Sequence, residues 1–271
     1  MTTRSCMVAI ATVLASGAMA QAGVKPLAAA HAHNDYRHER PLLDALDHGF
    51  TSVEADVFLV GDKLCVAHDR EEIRPDRTLR ALYLDPLRKR AEKYKGHIYS
   101  RPVRFHLLID FKSAGEPTYR RLHEILADYD DIVTSFGPEG RVDRAVLINI
   151  SGNRPLELMK VQKLRYAGYD GRLSDLHSEL PAELMPLVSD HWGRNFTWSG
   201  AGPMPEAERK KLKSIVQAAH EKGRLVRFWA TPDRRSPERV ALWSELNAAG
   251  VDLINTDDLA GLQAFLLKHE H

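Results

Sequence analysis

The sequence predicts a (β/α)8 barrel formed by a single domain, and three observations lead to this prediction. Apolar, strand-like runs alternate with helical stretches along the chain, a pattern typical of parallel strands joined by helices. About eight such strand–helix units fit the length of 271 residues, which suits one α/β barrel. A doubly wound open sheet is the alternative, but no glycine-rich phosphate loop follows the first predicted strand.

The first half of the chain contains predicted strands that are rich in apolar and β-branched residues. Gly49 ends the helix after the first strand, and Gly61 with Asp62 forms the turn between the second and third strands. The predicted strands are VKPLAAAH, TSVEADVFLV, KLCVAH and VRFHLLIDFK, and the predicted helices are PLLDALDHG, TLRALYLDPLRKRAEKY and PTYRRLHEILADY.

The second half continues the alternation. Gly223 ends an amphipathic helix, PEAERKKLKSIVQAAHEKG, and the strand RLVRFWAT follows it. The other predicted strands are RAVLINI, YAGYDGR, NFTWSG and DLINT, and the other predicted helices are PLELMKVQ, ELMPLVSD, SPERVALWSELNAAG and LAGLQAFLLKH.

The N-terminal residues differ in composition from the rest of the chain. A cationic start, MTTR, precedes the apolar run SCMVAIATVLASGAMA, whose final AMA fits a signal-peptidase site. We therefore predict a secretory signal peptide over residues 1–20 and the barrel over residues 25–271. This implies an exported protein, periplasmic or secreted, with no integral membrane segment after cleavage. Cys65 would then have no partner for an intramolecular disulfide.

Two carboxylates share one face of the second predicted strand. Glu54 and Asp56 are two residues apart, so a strand directs both side chains to the same side. Neighbouring carboxylates repel one another unless a divalent cation neutralises them, and oxygen ligands favour Mg²⁺ or Ca²⁺. An isolated E-x-D motif also fits a polar alternation on a half-exposed strand, so its context decides.

Further polar residues stand at the carboxyl ends of other strands, which meet at one end of a barrel. Asp110 adds a third carboxylate, and Lys112 offers a positive charge to an anion. His31 and His33 end the first strand, and His68 ends the third. Histidines transfer protons near neutral pH. These groups together predict phosphoryl chemistry, in which one histidine takes a proton from the nucleophile and another protonates the leaving oxygen.

The run from AHAHNDY through DALDHGFTSVEADVFLVGDKLCVAHD resembles the N-terminal motif of the glycerophosphodiester phosphodiesterase and phosphatidylinositol-specific phospholipase C-like superfamily. In that motif a histidine after the first strand precedes A…G…E-x-D-V and then V-x-H-D. Three later segments, LLIDFK, RFWATPD and AGVDLINTDD, resemble the superfamily's acid–lysine strand, its Trp-Thr strand and its closing G-V-D-x-I-x-T-D. The resemblance is densest at the N-terminal end.

The resemblance implies a (β/α)8 barrel, one divalent cation and cleavage of a phosphodiester by a histidine pair. Carried over to this chain, it makes Glu54, Asp56 and Asp110 the metal ligands. His31 and His68 become the catalytic acid and base, although His33 is a second candidate for the role of His31. The residues that we predict to bind substrate are His33, Asn34, Lys112 and Trp229.

The sequence departs from the superfamily pattern at several positions. The common start is His-Arg-Gly followed by Glu-Asn-Thr, whereas this chain has His-Ala-His and no Glu-Asn-Thr. His33, Arg37 and Arg227 are the candidates to replace the arginine that is missing at position 32. The third acid, often a glutamate, is Asp110, and the segment before it is short for a full substrate-capping insertion. These departures leave the two alcohols of the diester open.

Two other functions stay open on sequence grounds. A PHP-type or amidohydrolase-like metal hydrolase also opens with HAH, but it needs metal-binding histidines at later strand ends. The predicted strand ends carry other side chains, namely Asn149, Trp198, Trp229 and Thr256. The second alternative is a non-catalytic exported binding protein on the same barrel.

The net charge limits the partners of the chain. With 38 Lys and Arg against 37 Asp and Glu, the chain carries a charge of +1, so we expect no nucleic-acid partner. For the leading function we expect a monomer that acts on a small-molecule or lipid-derived phosphodiester.

Overall fold

A closed barrel forms the body of the protein. The computed structural model describes residues 24–269, and nine strands of this range form one sheet. Eight of them are parallel and close into a barrel, because the first strand pairs with both the last strand and the second. The predicted (β/α)8 barrel is confirmed. The predicted signal peptide, residues 1–20, lies outside the described residues.

The strands follow one another around the barrel in chain order, apart from two hairpin segments. Strand β3 pairs antiparallel with β2, and β5 pairs antiparallel with β6 in a separate two-stranded sheet. The strands are β1 Leu27–Ala32, β2 Phe50–Val60, β3 Lys63–Val66, β4 Phe105–Phe111, β5 Ser135–Gly137, β6 Gly140–Val142, β7 Val146–Gly152, β8 Gly168–Gly171, β9 Leu187–His191, β10 Leu225–Trp229 and β11 Leu253–Thr256.

The helices of the described range cover the outside of the barrel, and a π-helical turn, Arg80–Leu84, leads into the second of them. The helices are α1 Leu43–Asp47, α2 Asp85–Lys93, α3 Gly115–Ala127, α4 Leu156–Val161, α5 Trp192–Asn195, α6 Glu206–Glu221, α7 Pro237–Ala249 and α8 Leu259–His269.

Alternation along β2 separates the apolar core from the site. Val53, Ala55 and Val57 are buried in the core between the sheet and the helices. Glu54, on the opposite face, pairs in register with Leu108 of β4. Leu108 belongs to a small, separate apolar cluster with buried leucines of β9 and β11, which closes the barrel interior beneath the polar residues. The strand alternation predicted from sequence therefore directs both carboxylates of β2 into the barrel.

Two predicted elements of the second half are wrong. ELMPLVSD was expected to be helical, but Leu187–His191 forms β9, because Pro186 cannot continue a helix and the run is buried between two parallel strands. NFTWSG is not a strand: it follows the short helix Trp192–Asn195, and Trp198 lies buried in a loop. The indole Nε1 of Trp198 donates to the carbonyl oxygen of Ala201 at 3.0 Å, so this side chain supports the loop and does not end a strand.

Strand register brings the third carboxylate to the level of the first two. Asp56 of β2 pairs with Asp110 of β4, and Asp110 pairs with Ser151 of β7. Gly152, the last residue of β7, has a φ of 68°, and a Cβ added to it would lie 2.5 Å from Asp110 Oδ1. The backbone of β7 therefore packs directly against the Asp110 carboxylate.

We expect Gly152→Ala to lower both the stability and the affinity for a divalent cation. The left-handed backbone costs an alanine about 1 kcal/mol, and the added methyl group displaces Asp110. Gly61→Ala is the matched control, since Gly61 has a φ of 59° but its Cβ would meet nothing within 4 Å. Denaturant unfolding and calorimetric titration with Mg²⁺ and Ca²⁺ measure the two effects. Unchanged cation affinity in a folded Gly152→Ala protein would contradict the contact.

Candidate active site

A cavity of about 440 Å³ opens at the carboxyl ends of the barrel strands, where (β/α)8 barrels carry their active sites. All of the residues predicted for the site line this cavity, with the exception of His31. Besides the three carboxylates, they are His33, Asn34, His68, Lys112 and Trp229. The structure therefore brings together side chains from both halves of the sequence.

Three carboxylates in the cavity form a set that fits a hard cation. Glu54, Asp56 and Asp110 each offer an oxygen atom, and these atoms lie within 4.8 Å of one another. Asp56 Oδ1 is buried and has no hydrogen-bond partner among the described residues. An unpaired buried carboxylate oxygen costs free energy, and a divalent cation bound by the three acids would satisfy it.

Two basic side chains offset the charge of these acids. The Nζ atom of Lys112 lies 3.0 Å from Asp56 Oδ2 and 3.1 Å from Asp110 Oδ1, and Arg227 Nη2 donates to Glu54 Oε2. Burial opposes ionisation of Glu54, but the charge of Arg227, the hydrogen bond from His31 and the charges of the two histidines together hold the pKa of Glu54 well below its usual range. Burial raises the pKa of Asp56, and the charge of Glu54 raises it further. Burial also raises the pKa of Asp110, against the charge of Lys112.

Each of the two histidines in the cavity is held at Nδ1 by a carboxylate. His33 Nδ1 lies 2.8 Å from Asp257 Oδ1, and His68 Nδ1 lies 2.7 Å from Asp56 Oδ2. Because an ionised carboxylate only accepts hydrogen bonds, the tautomer protonated at Nδ1 fits both carboxylate contacts and leaves Nε2 for a substrate. The Nδ2 atom of Asn34 also lies 2.8 Å from His33 Nδ1, and His33 Nε2 lies 4.0 Å from Glu54 Oε1. Burial alone would lower the pKa of His33, but the Asp257 hydrogen bond and the Glu54 charge raise it overall.

His31 occupies a different environment. Its side chain is fully buried, with Nδ1 2.7 Å from Ser52 Oγ and Nε2 3.4 Å from Glu54 Oε2. Burial, reinforced by the charge of Arg227, lowers the pKa of His31 to about 3, so the imidazole is neutral near pH 7. This position favours a role in holding Glu54, whereas His33 reaches the cavity. The catalytic role assigned to His31 from sequence stays a prediction.

Tyr36 is a site residue that sequence reasoning missed. Its hydroxyl lies 2.6 Å from Asn34 Oδ1 and 2.8 Å from Asp56 Oδ2, so one proton is shared between two acceptors. The same oxygen is 3.1 Å from His68 Nδ1, and the two rings are nearly parallel. Tyr36 belongs to a 3-10 turn after β1, and it lies 20 residues before Asp56 in the sequence. No local pattern could have indicated it.

The turn that carries Tyr36 is anchored by a buried acid. Asp35 is fully buried, and its Oδ2 accepts hydrogen bonds from the backbone N–H of Leu42 at 2.6 Å and from the hydroxyl of Tyr83 at 2.9 Å. Burial raises the pKa of Asp35 to about 7. The Asn34–Tyr36 segment is thereby fixed against the barrel.

His191 ends β9 and lies beside the site without lining the cavity. Its ring packs edge-on against Trp229 with centroids 4.7 Å apart. Among the described residues, three side chains lie close enough together to hold a metal ion. They are the carboxylates of Glu54, Asp56 and Asp110, and no histidine belongs to this group. This arrangement disfavours the PHP-type alternative, whose sites depend on histidine ligands.

Comparison with known protein families gives two matches. A sequence model described as the AIM6-like phosphodiesterase domain matches residues 19–170, and one described as the glycerophosphoryl diester phosphodiesterase family matches residues 226–260. The resemblance inferred from the motifs is confirmed at the level of the superfamily.

Two fungal relatives are similar to this chain over most of its length. The protein named "Altered inheritance of mitochondria protein 6" of Eremothecium gossypii is 31% identical over 273 residues, which cover 89% of this chain and 70% of the relative. Its homolog in Arthroderma benhamiae is 29% identical over 272 residues, which cover 90% of this chain and 85% of the relative.

Two solved structures share the fold. A glycerophosphodiester phosphodiesterase from Parabacteroides distasonis has a TM-score of 0.50 at 16% identity and covers 90% of this chain and 98% of its own. A glycerophosphoryl diester phosphodiesterase from the same species has a TM-score of 0.54 at 11% identity and covers 90% of this chain and 87% of its own.

The predicted localisation is wrong. The relatives that cover most of this chain are fungal proteins named for altered inheritance of mitochondria, organelles inside the cell, which contradicts a periplasmic or secreted protein. None of the helices formed by residues 24–269 combines the length and apolar character that a bilayer span requires.

We expect Tyr36→Phe to weaken divalent-cation binding by about tenfold or more, because Asp56 loses a hydrogen bond that fixes its carboxylate. Calorimetric titration with Mg²⁺ and Ca²⁺ measures the affinity. Tyr83→Phe is the matched control, since it removes a buried hydroxyl that contacts Asp35 and none of the three ligand carboxylates. It should lower stability and leave cation affinity unchanged. Wild-type affinity in Tyr36→Phe would show that the hydroxyl does not position Asp56.

Proposed function

The chain belongs to the AIM6-like phosphodiesterase family, and from this premise we propose that it is a metal-dependent phosphoric diester hydrolase acting on glycerophosphodiester- or phospholipid-like substrates. The observation that carries the proposal is the cavity at the barrel mouth, where three carboxylates meet two imidazoles, each backed by an acid. This set supplies a cation site and two proton-transfer groups next to one another.

Glu54, Asp56 and Asp110 are the proposed ligands of one Mg²⁺ or Ca²⁺ ion. When bound, the cation supplies positive charge to the oxygen atoms of the phosphate. Lys112 lies within 3.1 Å of two of these carboxylates, so its ammonium group is placed to stabilise the same phosphate. Its pKa is raised: burial opposes the charge, but Asp110 and Asp56 outweigh burial, and the ammonium stays protonated.

His33 and His68 are the proposed acid–base pair. In this proposal His33 takes the catalytic role that was predicted for His31 from the sequence. Their Nε2 atoms are free of the carboxylates that hold Nδ1. One imidazole takes the proton of the attacking hydroxyl as the new P–O bond forms. The other donates a proton to the alcohol oxygen as the second P–O bond breaks.

Three further residues are proposed to hold the substrate. Asn34 and Trp229 line the cavity, and Asn34 is fixed by Tyr36. Arg37 also lines it and is favoured as the replacement for the arginine missing at position 32. Arg227 is buried and committed to Glu54 and to Asn255, whose Oδ1 accepts from Nε at 2.9 Å. It therefore orients a ligand carboxylate more than it binds phosphate.

A product screen tests the proposed activity. With Mg²⁺ or Ca²⁺ supplied, the purified protein should cleave at least one of a set of glycerophosphodiesters, phosphoinositides, lysophospholipids and a chromogenic diester, with products identified by ³¹P NMR. EDTA should abolish cleavage, and either ion should restore it. Asp56→Asn should lose activity and cation binding, whereas Asp62→Asn, at an exposed turn, should keep both. Cleavage that survives exhaustive EDTA would reject the metal role, and no cleavage at all would favour a binding protein.

Substitution of single histidines separates the proposed roles. Alanine at His33 or His68 should lower kcat by about 100-fold or more, because a proton-transfer group is lost. Alanine at His31 should instead weaken cation binding and stability, since that ring contacts Glu54. His220→Ala, which removes a half-exposed imidazole paired with Asp252, is the control. The opposite outcome is a His31→Ala protein that folds and binds the cation but shows the largest loss of kcat. In that case His31, and not His33, would be the catalytic histidine.

A further inference from the structure

Arg172 lies in the cavity wall, directly after β8, and a buried polar network fixes its guanidinium group. Asp170 is fully buried, and its Oδ2 accepts from Arg172 Nη1 at 2.9 Å. The same oxygen accepts from the hydroxyls of Ser151 at 2.8 Å and Ser189 at 2.7 Å. Nη1 also donates to the carbonyl oxygen of Gly171 at 3.0 Å. Strands β7, β8 and β9 therefore cooperate to hold one side chain.

This network uses one side of the guanidinium group and leaves the other available. Nη2 makes a single long contact of 3.3 Å with Ser151 Oγ, and the hydrogen bonds of the described residues include none from Nε. The edge formed by Nε and Nη2 therefore keeps N–H groups for a ligand. A planar guanidinium held in one orientation binds two oxygen atoms of a carboxylate or phosphate in parallel. Asp170 offsets the positive charge of Arg172. Recognition of a ligand by Arg172 therefore depends on the direction in which these N–H groups point.

Arg172 faces the proposed reaction centre from across the barrel. Strand β8 is the fourth neighbour of β1 in either direction around the barrel, so Arg172 lies opposite His33. Strand β7 separates it from β4, which carries Asp110. Neighbouring strands are about 4.8 Å apart, so the backbones of β4 and β8 lie about 10 Å apart. Among the described residues, the hydrogen bonds and ion pairs of the Arg172 guanidinium go to β7, β8 and β9 and to none of the three carboxylates. We take a group that reaches Arg172 to be a substituent of the substrate on the side of the cavity away from His33.

The cavity wall around Arg172 presents hydrogen-bond donors to a ligand, whereas the acceptor atoms of Asp170 are occupied or buried. Asp170 Oδ2 already accepts three hydrogen bonds. Oδ1 has no hydrogen-bond partner among the described residues, but it is buried and exposes almost no surface to a ligand in the cavity. A neutral polyol needs acceptors as well as donors, whereas an anionic group needs donors alone. We propose that Arg172 is a specificity-determining residue that binds an anionic group, a carboxylate, on one alcohol of the substrate. This inference rests on the proposed phosphodiesterase function.

Two diesters that differ by one carboxylate test the inference: glycerophosphoserine and glycerophosphoethanolamine, with Mg²⁺ or Ca²⁺ supplied. The wild-type protein should have a kcat/KM about tenfold or more higher for the serine diester. Arg172→Gln should bring the ratio of the two kcat/KM values close to one, through a higher KM for the serine diester alone. Arg172→Lys keeps the charge but loses the fork of N–H groups, so it should restore only a small part of the preference.

Arg234→Gln is the matched control, because it removes an exposed arginine from the loop after β10 and should leave both substrates unaffected. Thermal unfolding shows whether each variant is folded. If Arg172→Gln does not fold, Arg172→Lys is compared with the wild-type protein in its place. Equal losses on both diesters in a folded variant would overturn the inference, as would a wild-type protein that cleaves both without preference. Cleavage of no diester in the wider screen would instead reject the proposed function itself.

Discussion

Mutual repulsion among three close carboxylates, two of them buried and Asp110 partly exposed, is the constraint on which the rest of the site depends. Glu54, Asp56 and Asp110 place oxygen atoms within 4.8 Å of one another, at a depth where water screens charge poorly. Lys112 and Arg227 compensate part of this charge from two sides. Asp56 Oδ1 remains buried and unpaired, so the compensation by protein groups is incomplete and a cation is the group that would complete it.

The same carboxylates determine how the histidines are oriented. Asp56 Oδ2 holds His68 Nδ1, while Oδ1 of the same side chain is the atom left for the cation. Glu54 contacts His31 directly and adds to the charge that raises the pKa of His33. Cation binding and the arrangement of the acid–base groups are therefore coupled through two side chains of β2. A change in either carboxylate would alter both functions together, which explains why the E-x-D motif is so informative.

Much of the fold and the cluster of three carboxylates followed from sequence, because strand alternation and parallel pairing bring polar strand ends to one edge. The choice between His31 and His33 did not, since the two differ in depth along one strand and not in face; two residues correspond to about 7 Å. The prediction for β9 was wrong because the first three residues of this parallel strand are all buried and show no polar–apolar alternation. Tyr36 and Arg172 were missed because their partners come from strands distant in sequence.

The residues proposed for chemistry and those proposed for substrate selection lie on different walls of this barrel. The proposed cation ligands and the proposed acid–base pair lie on β2 and β4 and in the segments directly after β1 and β3, whereas Arg172 follows β8 and Trp229 ends β10. Because the segment between His68 and Asp110 is short, these wall residues are placed to recognise the alcohol that a capping insertion would otherwise contact. Residues on opposite strands of a barrel can change independently. A relative that keeps the three acids but lacks an arginine at this position of β8 should therefore retain cation-dependent cleavage and prefer a different alcohol.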